Sequence, residues 1–197
     1  MWVGTPTTPE LEEAQQQAQV KSDFFIALRD LGIDAHALER DPFSLAPTGD
    51  WLELFVGPIR WIGLSGDLEI GFQAGCYVPD PRITSGVSMV PIVPFKVKSL
   101  PVFGRVKSVR WKARKRGGLS MRDKVFNLRV AEHLSQDSAV SKIPNSADYL
   151  DWVLIDSERC CWIIVGKYGG IKWKRPLWDS YQAIAEALLA MPMAKDE

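Results

Sequence analysis

Histidine is almost absent from this chain, with two in 197 residues, and cysteine is scarce, with three. His36 and His133 stand far apart, and neither lies at helical spacing from a second ligand. Cys76, Cys160 and Cys161 form no Cys-x-x-Cys pair, so the usual structural zinc patterns are excluded. On a strand, the neighbours Cys160 and Cys161 point to opposite faces and cannot share a metal without distortion. Two small buried apolar side chains are the expectation there. A reactive thiol is the alternative, because Arg159 beside Cys160 favours a thiolate.

Other absences narrow the chemistry. "GLSG" around Ser65 is not the G-x-S-x-G nucleophile elbow. "GKYGG" is not the G-x-x-x-x-G-K-[ST] loop that cradles phosphates. No catalytic residue, metal or cofactor is expected, and the reading leans away from an enzyme. No apolar run approaches the ~20 residues that span a bilayer. With an odd cysteine count and no basic-then-apolar leader, a reducing, cytoplasmic compartment is expected.

What is present suits a packed core. Hydrophobic residues make up 46% of the chain, with eight tryptophans and eight phenylalanines among them. Aromatic side chains bury large areas, so no staple is needed. Apolar residues Leu11, Ala14, Ala18, Phe25 and Leu28, with Phe24 and Leu31, predict a helix opened at Thr8-Pro9 and stopped by Gly32. Its second half carries the bulk and should dock. Period-two patterns follow in "WLELFV", "RWIGL" and "LEIGF", with a hairpin turn expected at Ser65-Gly66-Asp67. Pro79, Pro81, Pro91 and Pro94 predict a loop or an edge strand rather than a central one. Ser120 caps a helix over about 121–134, with Asp123 at its third position. "DYLDWVLID", "CCWIIVGK" and "IKWK" read as a three-strand meander, and Pro176 opens a final helix bearing Leu177, Tyr181, Ile184 and Leu188. The fold class is α+β: a mostly antiparallel sheet packed by amphipathic helices near both termini. A boundary near Gly117-Gly118 divides the chain into 1–117 and 118–197, as two halves or as two layers of one domain.

Net charge is zero, but it is unevenly placed. Residues 1–95 carry five basic and thirteen acidic side chains, whereas residues 96–175 carry eighteen basic and seven acidic. Between Lys96 and Arg129 there are twelve basic residues and a single acid, Asp123. The centre, "RWKARKR", puts five cations into seven residues. Read as a helix, Val102, Val106, Val109 and Ala113 share a face. Read as a strand, Lys107, Val109, Trp111 and Ala113 share one face, and Ser108, Arg110, Lys112 and Arg114 the other. Val and Trp, together with Gly104, tilt the balance toward the strand.

Cations this dense must be solvated, paired with acids, or facing an anion. A polyanion satisfies them by releasing condensed counterions, and arginine's planar fork suits phosphate. The expectation is therefore a non-catalytic binding protein for a polyanion, DNA or RNA first. Arg105, Lys107, Arg110, Lys112, Arg114, Lys115 and Arg116 would contact phosphate, and Trp111 would stack on a base. Lys172, Lys174 and Arg175 form a second group that would enlarge the patch if it shares the same face. The alternatives are a protein–protein or self-association module built on charge-segregated surfaces, and peripheral contact with an anionic membrane. The acids of residues 1–95 folding over the cations would remove the reason for any such ligand.

Overall fold

Alternating apolar residues build most of the strands, and three- and four-residue spacing builds the helices that cover them. The computed structural model describes residues 9–44, 47–67, 71–84, 89–98, 106–114, 118–142, 150–167 and 173–193. In chain order the elements are α1 (Pro9–Asp30), β1 (Ala35–Arg40), β2 (Pro47–Leu54), β3 (Trp61–Asp67), β4 (Gly71–Pro79), β5 (Ile92–Lys98) and β6 (Val106–Ala113). Then come α2 (Met121–Gln136), α3 (Ser138–Ser141), β7 (Leu150–Asp156), β8 (Cys161–Gly166) and α4 (Arg175–Ala190). The strands form one antiparallel eight-stranded sheet in the order β1-β2-β3-β4-β8-β7-β5-β6. The fold is α+β, with helices at both ends of the chain as expected. Strands from both sides of Gly117-Gly118 alternate in this sheet.

The helices cover one face. Phe24 and Leu28 of α1, Val130, Ala131 and Leu134 of α2, Val140 of α3, and Tyr181, Ile184 and Leu188 of α4 share a core with Leu52, Ile62, Cys76, Val78, Ile92, Trp111, Val153, Trp162 and Ile164. As anticipated, α1 docks through its second half: Phe24 and Leu28 are buried, while Leu11 is exposed. Gly32, at φ +72°, ends it in the left-handed region that glycine enters without a Cβ clash. Ser120 caps α2 by accepting from the Asp123 amide. Trp173 precedes α4 and stacks on Tyr181 at 5.0 Å, with its edge partner Phe24 at 5.2 Å.

Four expectations are corrected. The β3–β4 turn does not fall at Ser65-Gly66-Asp67, because those residues still pair with Gln73, Phe72 and Gly71. The proline-rich stretch does not exclude an interior strand, since β5 lies between β7 and β6. Pro94 is tolerated there for a specific reason. Its partner Trp111 directs its backbone groups away from β5, to Ser135, so the missing Pro94 N–H falls on the β7 side. On that side β5 and β7 are paired at Ile92 with Val153. The third meander strand is not formed at Trp173 and Lys174, which lead directly into α4; 171 and 172 lie outside the described residues. Cys161 is buried, but Cys160 is exposed in the β7–β8 turn at φ +50°.

A polar staple closes one end of the core. Asp80 is 1% exposed. Its Oδ1 accepts from the Arg82 backbone N–H at 3.1 Å and from Arg82 Nε at 2.8 Å. Its Oδ2 accepts from Arg82 Nη2 at 2.8 Å and Trp162 Nε1 at 2.9 Å. Arg82 also donates to the Met191 carbonyl at 3.0 Å, at the end of α4. One guanidinium thus joins a buried carboxylate to the negative end of a helix.

Candidate functional site

Strand β6 resolves the central ambiguity: residues 106–113 are extended. The alternation then sorts the side chains. Val109 and Trp111 are buried beneath α2, while Lys107, Arg110, Lys112 and Arg114 are exposed. Two polar contacts fix α2 against this hairpin. Asn127 Oδ1 accepts from the Val90 N–H at 2.8 Å, and Ser135 Oγ accepts from the Trp111 N–H at 2.8 Å. Lys107 sits at a bulge, because Lys98 pairs with Val106 and Val97 with Ser108.

Trp111 is therefore not a stacking residue in this arrangement. It is 4% exposed and belongs to the core. Its indole Nε1 is buried with no acceptor among the described residues. The strand pattern itself contained this outcome, since Trp111 alternates with Arg110 and Lys112. Within this hairpin, the described aromatic residue that shares the cations' face is Phe95. It pairs across the hairpin with Arg110, is 38% exposed, and has the Lys112 ammonium 5.5 Å from its ring centre. The signal for it was available in "PFKVK", whose Phe shares parity with neither lysine.

The other candidates disperse. Arg105, Lys115, Arg116 and Lys172 lie outside the described residues. Lys174 and Arg175 are exposed at the start of α4. Helix α4 packs on the helix-covered face, whereas Arg110 and Lys112 point from the open face, so the two groups do not make one continuous patch.

The acids of residues 1–95 do not lie over β6 among the described residues. Asp50 pairs with Lys21, Glu53 with Arg60 at 2.8 Å, and Asp80 with Arg82 at 2.8 Å. The one described ion pair on the β6 cations joins Arg114 to Asp151 of β7 at 3.9 Å. Glu12, Asp23, Asp30, Asp34 and Glu39 are exposed on α1, its following turn and β1, and β1 is the opposite end of the sheet from β6. Segregation along the chain becomes segregation across the sheet.

Burial displaces several ionisations among the described residues. Burial pushes the Cys76 thiol up, and pushes Cys161 up to about 11, so both stay protonated near neutrality. Burial also drives the Tyr181 phenol well up. Burial would raise the Asp80 carboxyl, but hydrogen bonds from Arg82 and Trp162 outweigh it and hold the group below its usual value. Among the described residues, no three His, Cys, Asp or Glu side chains gather as metal ligands, and no helix is long and apolar enough to cross a membrane. No known protein family, curated protein or solved structure matches this chain.

Proposed function

We propose that the protein is a non-catalytic binder of a polyanion, single-stranded DNA or RNA, held on the open face of the β5–β6 hairpin. Arg110 and Lys112 supply phosphate contacts, Arg114 and Lys107 extend the cationic surface, and Phe95 offers the ring on which a base stacks. The observation that carries this reading is the pair Arg110 and Lys112. Both are exposed, flank an exposed Phe95, and have no described acid within ion-pair distance. Phosphates bind such cations by counterion release, and stacking adds sequence-tolerant affinity. Three free cysteines accord with a cytoplasmic setting.

The test is titration of a labelled oligonucleotide at two salt concentrations. Log affinity should fall with log salt at a slope of about −0.7 per phosphate contact. Absence of binding at low salt refutes the proposal. A second reading, self-association, is favoured by one observation: exposed acids of α1 and β1 and exposed cations of β6 occupy opposite ends of one sheet. It requires an oligomeric state that dissolves with rising ionic strength, without oligonucleotide affinity.

A further inference from the structure

A separate feature lies on the same open face, away from the basic edge. One cross-strand row runs Trp51, Gly63, Gly75, Val165, Trp152, from β2 through β3, β4 and β8 to β7. Four strand spacings of about 4.8 Å separate the two tryptophans. Between them, two residues have no side chain. The Trp51 indole lies down on Gly63, where a Cβ would meet ring carbons at 3.0 Å. The Tyr77 ring reaches back toward Gly75, where a Cβ would meet it at 3.3 Å. Trp152 makes no ring contact among the described residues, so it stands across a gap from the other two. The gap is a cleft of about 460 Å³ with Trp51, Tyr77 and Trp152 as walls and Gly75, Ile163 and Val165 beneath. That volume lies in the range of small-molecule sites.

Besides the Ser65 and Tyr77 hydroxyls, this cleft holds acceptors that are not fully used. Gln73 is 8% exposed, and its Nε2 is committed to the Gly166 carbonyl at 2.7 Å. That bond fixes the amide orientation and leaves Oε1 with no partner among the described residues. Asp41 uses Oδ1 for the Phe43 and Ser44 N–H groups, at 2.7 and 3.1 Å, which leaves Oδ2 open. Asp50 borders the cleft but is paired with Lys21 of α1, and no described lysine, arginine or histidine lines the cleft itself. The adjoining aromatic cluster already holds a cation. Phe43 packs on Trp51 and Tyr77 at 5.4 Å, and the Arg159 guanidinium lies 4.8 Å from the Phe43 ring centre.

From this geometry we infer that the cleft binds an organic cation, a quaternary ammonium with a short hydroxylated or apolar substituent. Electron-rich ring faces attract such a group without hydrogen bonds, and its methyls pack on the Gly-Ile-Val floor. Its hydroxyl donates to Gln73 Oε1 or Asp41 Oδ2. The Asp41 carboxylate, with Oδ2 uncommitted, disfavours an anion in the cleft, whereas the β6 edge favours one.

The experiment uses the full chain with choline and its uncharged isostere 3,3-dimethylbutan-1-ol, followed by calorimetric titration and saturation-transfer NMR. Choline should bind saturably in the millimolar range or tighter, with transfer to its N-methyl protons. The isostere should bind about 5–30-fold more weakly, the worth of a desolvated cation–π contact. Trp152→Ala should weaken choline by a similar factor, and Trp152→Phe by less. Arg110→Ala/Lys112→Ala should leave choline binding unchanged, which keeps this site distinct from the polyanion surface. Equal affinity for choline and the isostere overturns the inference. So does no saturable choline binding up to about 50 mM, far above the millimolar range that weak recognition occupies. If Trp152→Ala fails to fold, undiminished binding to Trp152→Phe and Trp152→Leu overturns it as well.

Discussion

Replacing Asp80 by alanine tests whether the carboxylate staple holds the helix layer to the sheet. The substitution removes acceptors for four hydrogen bonds, three from Arg82 and one from Trp162. Trp162 is fully buried, so its Nε1–H becomes an orphan donor, which costs about 1–3 kcal/mol. Arg82 loses its counter-charge. Breaking a fully buried ion pair costs about 3–5 kcal/mol, but the Arg82 side chain is 39% exposed and regains water. Together these give about 2–4 kcal/mol, and at about 2–4 °C per kcal/mol for a domain of this size the melting temperature falls by roughly 5–15 °C. Asp80→Asn keeps one acceptor oxygen and should lose about half as much. Linkage supplies an independent check. The folded carboxyl sits below its unfolded value of about 3.9, so its contribution is present above that pH and is lost as the pH falls further. Wild-type stability should therefore drop more steeply than that of Asp80→Ala below about pH 4. Denaturant unfolding across pH reads both effects. A loss under about 0.5 kcal/mol at neutral pH, within the range of an ordinary surface substitution, would refute the reasoning.

Arg110→Ala/Lys112→Ala should reduce the magnitude of the oligonucleotide salt slope by about 1.4, two contacts at 0.7 each, whereas Phe95→Ala should lower affinity by about 1–3 kcal/mol and leave the slope intact. Ser135→Ala should destabilise the protein by about 1–2 kcal/mol, because the Trp111 N–H loses its acceptor at the sheet edge, and thermal unfolding measures this. In a thiol-titration assay Cys160 should react promptly, while Cys76 and Cys161 wait for unfolding, since both are buried and their thiols are held protonated.

The helices were legible because their signals are local. Ser120 and Asp123 cap α2 as the residue types demand, and Pro176 with its apolar stripe marks α4. Strand faces were legible too: β6 alternates as its residues alternate. Its inward face was legible as well, since Val109, Trp111 and Ala113 are the apolar set; that α2 is the element covering them was not, because that contact joins segments the sequence does not pair. Strand β1, Ala35–Arg40, escaped because its sequence AHALER favours a helix; pairing with β2 overrides that preference. The tolerance of Pro94 required knowing which neighbour its missing donor would face. The aromatic cleft was out of reach altogether, since Trp51, Gly75 and Trp152 meet only through the order of the strands.

Placing β8 between β4 and β7 has a consequence for biosynthesis. When β4 leaves the ribosome, its hydrogen-bonding groups on that side have no partner until residues 161–166 are made, 82 positions after Pro79. During that interval β1–β4 form a meander with a raw inner margin, while β5, β6 and α2 can assemble as neighbours. Seating β8 is a zipping event between two prebuilt pieces, and its pairing with β4 spans the longest sequence separation of any strand pair in the sheet. Chaperone capture during translation should accordingly cluster before Cys161 appears and fade once β8 is seated.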